Sequence, residues 1–237
     1  PGFGDILVMN PNTGQSITTI PLTAYADNDQ DAARADEIIL AKSKACVSLQ
    51  NIGSLYNPPA HNGKVAILNT TSDSVETVVE LDGKNPRTLQ YLASTDKLYV
   101  SLMGSLSYPP ELSGGIDVID LSNNSNASGL LIDDDAFQGN CNDMVVLSAT
   151  RGYVVISDSS YQNRVYSFNP QSGTAGSAVY GPVSYIPNIA YYNGYLYICD
   201  SSADAAGIAI IDTGTNTRVG STLVDTGLPP NDITFVE

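Results

Sequence analysis

The chain has 237 residues, 42% of them hydrophobic and 15% charged, which is enough for one sizeable core in a single domain over 1–237. No apolar run of about 18 residues is present to span a membrane as a helix. The net charge of −15, from 10 Lys+Arg against 25 Asp+Glu, repels phosphate backbones and anionic lipid, and so argues against nucleic acid and membrane insertion as partners.

The first predicted strands are Asp5–Asn10 and Gln15–Leu22, joined by the polar turn Asn10-Pro11-Asn12-Thr13-Gly14. The connection that follows carries Asp27-Asn28-Asp29-Gln30-Asp31, which spaces three carboxylates as the opening of a calcium loop does. The pattern then breaks, with Ala32 where the loop needs Gly and Ile38 where it needs Glu, so an EF-hand is excluded. A looser site built on Asp27, Asp29 and Asp31, with Asp36 or Glu37 added, remains the candidate metal site. Ca²⁺ is the one candidate ion, and no other cofactor is expected.

From about residue 34 a four-strand unit, a to d, repeats every 45–50 residues, over about 34–82, 85–132, 141–180 and 187–225. Strand b is apolar and β-branched or aromatic: Ala45–Leu49, Leu98–Leu102, Tyr153–Ser157 and Tyr195–Cys199. Strand c reads Lys64–Asn69, Ile116–Asp120, Arg164–Asn169 and Ile208–Asp212, and a polar turn leads from it into strand d. That period and strand count predict an all-β fold, a β-propeller of four-stranded antiparallel blades with about five blades represented. The ends are complementary: strands c and d open the chain, and Asn231–Val236 reads as a strand a. Two arrangements follow, a closing blade shared between the termini with its strand b supplied upstream of Pro1, or an arc of a larger ring. An irregular β-sandwich is the alternative fold.

A propeller sorts its connections. The a–b and c–d turns leave one face and the b–c and d–a connections leave the other. Here the second set holds the long loops: Gln50–Gly63, Met103–Gly115, Asp158–Asn163 and Asp200–Gly207, with Thr23–Ala35, Asp133–Cys141 and Tyr180–Pro187. Long loops on a rigid scaffold are where binding concentrates. Most of the loop aspartates fall on this face, which is therefore expected to be acidic. Two neighbouring b–c loops share an insert, Gly53-Ser54-Leu55-Tyr56-Asn57-Pro58-Pro59 and Gly104-Ser105-Leu106-Ser107-Tyr108-Pro109-Pro110, and each returns through Gly63 or Gly114-Gly115. Tyr56 and Tyr108 are the expected platform for a peptide or sugar, with mutual packing of the loops as the structural alternative. The polar starts of strand a (Asp36, Arg87, Asn142-Asp143, Asn188, Asn231-Asp232) are expected to ring the channel mouth. Among these, Asp36, Asp143, Asn188 and Asp232 join the tyrosines as candidate binding residues. Asp133-Asp134-Asp135 is contiguous, so its side chains are expected to diverge.

Catalytic residues are not in evidence. His61 is the single histidine, which removes hydrolytic triads and histidine metal clusters. There is no phosphate-cradling glycine loop, and no Trp for a sugar platform. Cys46, Cys141 and Cys199 lack metal-ligand spacing, and Cys46 and Cys199 occupy strand positions suited to small apolar side chains.

Asn85-Pro86-Arg87, Leu98-Tyr99-Val100-Ser101 and Ile116-Asp117-Val118-Ile119-Asp120, with their counterparts in 187–225, resemble the YVTN-type β-propeller repeat of surface-layer and other secreted or cell-surface proteins. The resemblance implies the fold and an extracytoplasmic setting (secreted, periplasmic or cell-surface). That setting also suits a composition poor in Lys and rich in Asn, Ser, Thr, Gly and Tyr. The motif specifies packing and turns, and names no activity. The expected function is a non-enzymatic binding or scaffold module whose acidic loop face engages a protein, a glycan or a cation-bridged partner. Two alternatives stand beside it: a self-assembling subunit of an extracellular array or filament, and a carboxylate-dependent hydrolase or lyase with its site at the channel mouth.

Overall fold

A computed structural model describes residues 4–27, 32–51, 61–105 and 111–236. Among them, strands form five sheets, each antiparallel and laid down in chain order. The first sheet holds only β1 (Ile6–Met9) and β2 (Ser16–Ile20). The second holds β3 (Ala35–Ala41), β4 (Lys44–Leu49), β5 (Lys64–Asn69) and β6 (Ser74–Glu80). The third holds β7 (Pro86–Leu92), β8 (Lys97–Leu102), β9 (Gly115–Asp120) and β10 (Ser125–Asn126), and the short β11 (Ile132–Asp133) also pairs with β9. The fourth holds β12 (Gly139–Ser148), β13 (Arg151–Asp158), β14 (Asn163–Asn169) and β15 (Thr174–Val183). The fifth holds β16 (Ile189–Tyr192), β17 (Tyr195–Asp200), β18 (Gly207–Asp212) and β19 (Thr217–Arg218). No helix among the described residues is long and apolar enough to cross a membrane.

The turns between the third and fourth strands of the units share one device. Asn10, Asn69, Asn169 and Asp212 each accept two backbone N–H groups of their own turn on a single side-chain oxygen. A residue at positive φ then closes the turn: Gly14, Asp73, Gly173 or Asn216. This is why Asn or Asp recurs at the end of the third strand.

Period-2 alternation makes each second strand a two-sided core element. In β8, Leu98 and Val100 pack toward the second sheet with Val65 and Ile67, while Tyr99 packs toward the fourth with Met144 and Val154. In β13, Val154 and Ile156 face back to the third sheet, and Tyr153 and Val155 face forward to Leu196 and Ile198. Burial from both sides explains the unbroken apolar runs. Each apolar cluster joins one sheet to the next. The inner strands β3, β7, β12 and β16 lie against one another in succession, while the outer strands of neighbouring sheets barely touch. The sheets therefore fan outward as blades.

The predicted strand at Asn231–Val236 is not a strand. Phe235 stacks on Tyr192 at 4.7 Å and meets Tyr197 edge-on at 4.9 Å, and the Ile233 amide donates to Asn188 Oδ1 at 3.2 Å. The segment thus lies where the next inner strand would lie, but no described strand offers it a ladder. The outer strands β10 and β19 span only two residues each.

Candidate functional site

Three of the four inner strands carry a bulge at an equivalent place: between Ala35 and Ile38 in β3, Pro86 and Leu89 in β7, and Cys141 and Met144 in β12. A bulge turns backbone groups out of the ladder, and these must find other partners. Within a blade, the second strand supplies a hydroxyl: Glu37 N donates to Ser48 Oγ at 2.9 Å, and Thr88 N to Ser101 Oγ at 3.0 Å. Between blades, side chains at one repeat position do the work. Glu37 Oε2 accepts from Leu89 N at 2.6 Å, Asp143 Oδ2 from Ile189 N at 2.7 Å, and Asn188 Oδ1 from Ile233 N. Where the position is Thr88, its hydroxyl donates to Asp143 Oδ1 at 2.9 Å. The polar starts of the inner strands thus form a girdle that ties each blade to the next.

The connections sort as expected where they are described. Gln50 N and Asn51 N donate to the Arg34 and Ala33 carbonyls, so Gln50–Gly63 starts beside the end of Thr23–Ala35. The same clasp recurs as Met103 N to Asn85 O and as Ser201 N to Tyr185 O. Second-to-third-strand loops and blade-to-blade connections therefore emerge together.

Above the girdle on this face lies a cavity of about 480 Å³. Its walls come from the start of β7 and the loop after β8 (Arg87, Met103, Ser105), from β12 and the β13–β14 loop (Asn142, Ser157, Asp158, Tyr161), and from the connection into β16 (Ser184–Asn188). Its size and mixed lining are those of a small-ligand site. Two rings stand exposed on its rim, Tyr161 at 59% and Tyr185 at 54%. Tyr161 is held at φ 58° inside a tight loop in which Asp158 Oδ1 accepts the amides of Ser160 and Gln162. This conformation is uncommon for a bulky residue. Ser105 is buried, and its hydroxyl, closed to solvent, has no hydrogen-bond partner among the described residues.

The two carboxylates of the cavity are already committed. Burial pushes Asp143 up from the ordinary carboxylate range, against the pull of the Ile189 amide and the Thr88 hydroxyl, and nearby Asp232 adds to the rise. Burial also acts to raise Asp158, but the Gln162 amide, Arg164 and the Ser160 amide outweigh it and hold the group below its usual range.

Among the candidate binding residues, Asp143 and Asn188 line the cavity and belong to the girdle, with Asn188 Nδ2 donating to Asp143 Oδ2 at 3.2 Å. Asp36 lies outside the lining, in an exposed pair with Arg87 at 3.7 Å. Asp232 accepts the Ile233 amide on its own side chain. Tyr56 and Tyr108 fall outside the described residues, as do Asp29 and Asp31. Asp27 is described: its carboxylate takes Lys64 Nζ at 2.7 Å and the Asn51 amide, and these partners overcome burial to lower its pKa. Tyr161, Tyr185 and the Ser105 hydroxyl were not singled out by the sequence. The available signal was their place in the loops already grouped on this face.

The divergence expected of Asp133-Asp134-Asp135 does not hold. A single 3₁₀ turn over Asp134–Ala136 brings one oxygen of each carboxylate within 4.8 Å of the others. Asp133 caps that turn by accepting the Asp135 amide, and buried Asp134 accepts Gly114 N at 2.9 Å. Burial, reinforced by its two acidic neighbours, pushes Asp134 up to about 6.

No family model and no curated protein matches the chain. Solved structures do. The dihydro-heme d1 dehydrogenase NirN, in complex with DHE, aligns at 14% identity and TM-score 0.62 over 92% of this chain and 41% of its own. BamB from Moraxella catarrhalis aligns at 16% and 0.54, over 88% of this chain and 53% of its own. The Cps50 (Swd1) β-propeller domain from Myceliophteria thermophila aligns at 10% and 0.55, over 82% and 56%. The chain folds as a β-propeller. It spans about half the length of the structures it matches, and at these identities the likeness speaks for the fold alone.

Proposed function

We propose that this propeller is a binding module of a secreted, periplasmic or cell-surface protein, and that its ligand enters the cavity at the channel mouth on the acidic loop face. The observation that carries this reading is the convergence of three blades on one cavity rimmed by the exposed rings of Tyr161 and Tyr185. A large aromatic ring left in water at a concave site is surface held ready for contact. Binding rather than catalysis fits the carboxylates, because Asp143 and Asp158 are occupied in holding the girdle and the loop.

A thermal-shift screen of the whole chain against saccharides, peptides and metabolites tests the reading when it is repeated on Ser184→Trp, which places an indole in the cavity from an exposed position. Ligands that raise the melting temperature of the parent chain should lose that effect in the variant. Shifts that persist in the variant would move the binding site elsewhere.

A further inference from the structure

The cavity's chemistry restricts what it takes. A cationic peptide or a metal ion needs a free carboxylate, and here both are engaged. Asp143 receives Thr88, Asn188 and the Ile189 amide, while Asp158 receives Arg164 and two loop amides. An anionic polymer needs several cations, and Arg87 alone lines the cavity, beside Asp36 and on a chain of net charge −15. A lipid tail needs a continuous apolar wall, and Met103, Ile186 and Pro187 supply only patches between Ser and Asn side chains. What remains is a neutral ligand that presents apolar faces to aromatic rings and a rim of groups that both donate and accept hydrogen bonds.

We propose that this cavity binds a short neutral saccharide, with sugar faces against Tyr161 and Tyr185 and hydroxyls against the amide-bearing wall. The proposal rests on the reading of the cavity as the binding site and narrows it to one ligand class. Pyranose rings carry C–H-rich faces that pack on aromatic rings, and equatorial hydroxyls that hydrogen-bond in the ring plane. Serine hydroxyls and asparagine amides both donate and accept, which matches a hydroxyl better than a fixed charge does.

The test is saturation-transfer NMR and calorimetry on the whole chain with cellobiose, maltotriose, mannobiose, galactobiose and chitobiose, and with trilysine and digalacturonate as charged controls. At least one neutral sugar should bind, and both charged probes should fail. Tyr161→Ala and Tyr185→Ala should each weaken that binding about tenfold or more, and Tyr185→Ala should do so with unchanged melting temperature, since that ring is exposed. Silence across the neutral panel would overturn the saccharide, as would binding that ignores the tyrosine variants. If peptides protect the parent chain and not Ser184→Trp, the saccharide falls and the cavity stands. If a sugar binds Ser184→Trp equally well, both fall.

Discussion

Asp143 and Ile189 begin the inner strands of different blades, and the Asp143 carboxylate accepts the Ile189 amide at 2.7 Å. The same carboxylate takes the Thr88 hydroxyl of the preceding blade at 2.9 Å. One side chain therefore pins three blades at the bottom of the cavity. It satisfies an amide at the start of β16 and a hydroxyl that the bulge of β7 turns inward.

Asp143→Ala leaves the Ile189 amide and the Thr88 hydroxyl without this acceptor in a buried site. Stranding such groups costs about 1–3 kcal/mol each, so the variant should lose about 2–5 kcal/mol by urea denaturation. Asp143→Asn keeps an oxygen for the amide and offers an N–H to Thr88 Oγ1, and should lose about 1 kcal/mol or less. Equal losses in the two variants would show that charge, rather than the pattern of donors and acceptors, holds the junction.

Much of this architecture can be read directly from the residues. Strands such as Leu98–Leu102 announce themselves because both of their faces are buried, which selects apolar or small side chains along the whole run. The capped turns announce themselves through Asn10, Asn69, Asn169 and Asp212, because one local geometry needs one side-chain type. The fourth strands do not. β10 and β19 lie at the rim, little constrained by core packing, and their residues carry no pattern that marks their bounds. Asn231–Val236 has strand-like residues but no neighbouring strand to complete it. The girdle was half legible: polar residues at each inner-strand start were visible, but their role as acceptors for the next blade depends on bulges, which leave no mark in the sequence. Tyr161 and Tyr185 went unnoticed for a related reason: they sit in shorter connections, and their convergence on one cavity is a matter of blade geometry.

Gly63 and Gly114 hold equivalent places just before the third strand of their blades. A Cβ on Gly63 would overlap the ring of Pro86, and one on Gly114 would overlap the Leu102 carbonyl. Neither neighbour can give way easily, one being a ring at the start of β7 and the other backbone of β8. Gly63→Ala and Gly114→Ala should each cost about 2–4 kcal/mol, in the range of overpacked core substitutions. Gly129 and Gly220 have nothing within 4 Å of their would-be Cβ and adopt positive φ, so alanine there should cost only the backbone strain, about 1 kcal/mol. Comparable losses at all of these positions would show that φ, not the close approach, sets the requirement for glycine.

Cys46, Cys141 and Cys199 are unpaired and buried, and burial raises the thiol pKa of Cys46 and Cys199 to about 11 and that of Cys141 well above the ordinary value. A thiol that is neither ionised nor accessible does not react. Native protein at pH 8 should therefore give almost no signal with a thiol-exchange reagent, and denatured protein should release the signal of all three cysteines. Fast labelling of one thiol in the native state would reveal an opening of its blade that the packed structure does not contain.

Stability should fall as pH rises from about 5 to 8. Glu37 is pushed from 4.5 to about 7, first by burial and then by Asp143 and Asp36, against the pull of the Leu89 amide. Asp134 is pushed from 3.8 to about 6 by burial and its acidic neighbours. Between the unfolded and folded pKa of each group, the native state holds a proton that the unfolded chain has released, so raising the pH through that window favours unfolding. The stabilisation is complete below about pH 4 and is lost by about pH 7. Asp27 and Asp158 act oppositely: their pKa values are lowered in the fold, and the stability they confer disappears below about pH 4. The melting temperature should therefore peak near pH 4–5. Each raised carboxylate contributes at most about 3 kcal/mol at 1.36 kcal/mol per unit, and Glu37 less because it is only partly buried. A fall of roughly 5–10 °C by pH 8 is expected for a chain of this size. Glu37→Gln and Asp134→Asn should each flatten the decline, leaving the share of Asp143, which burial also raises. A parent chain with equal melting temperatures at pH 5 and pH 8 would mean that these carboxyls ionise in the fold as freely as in water.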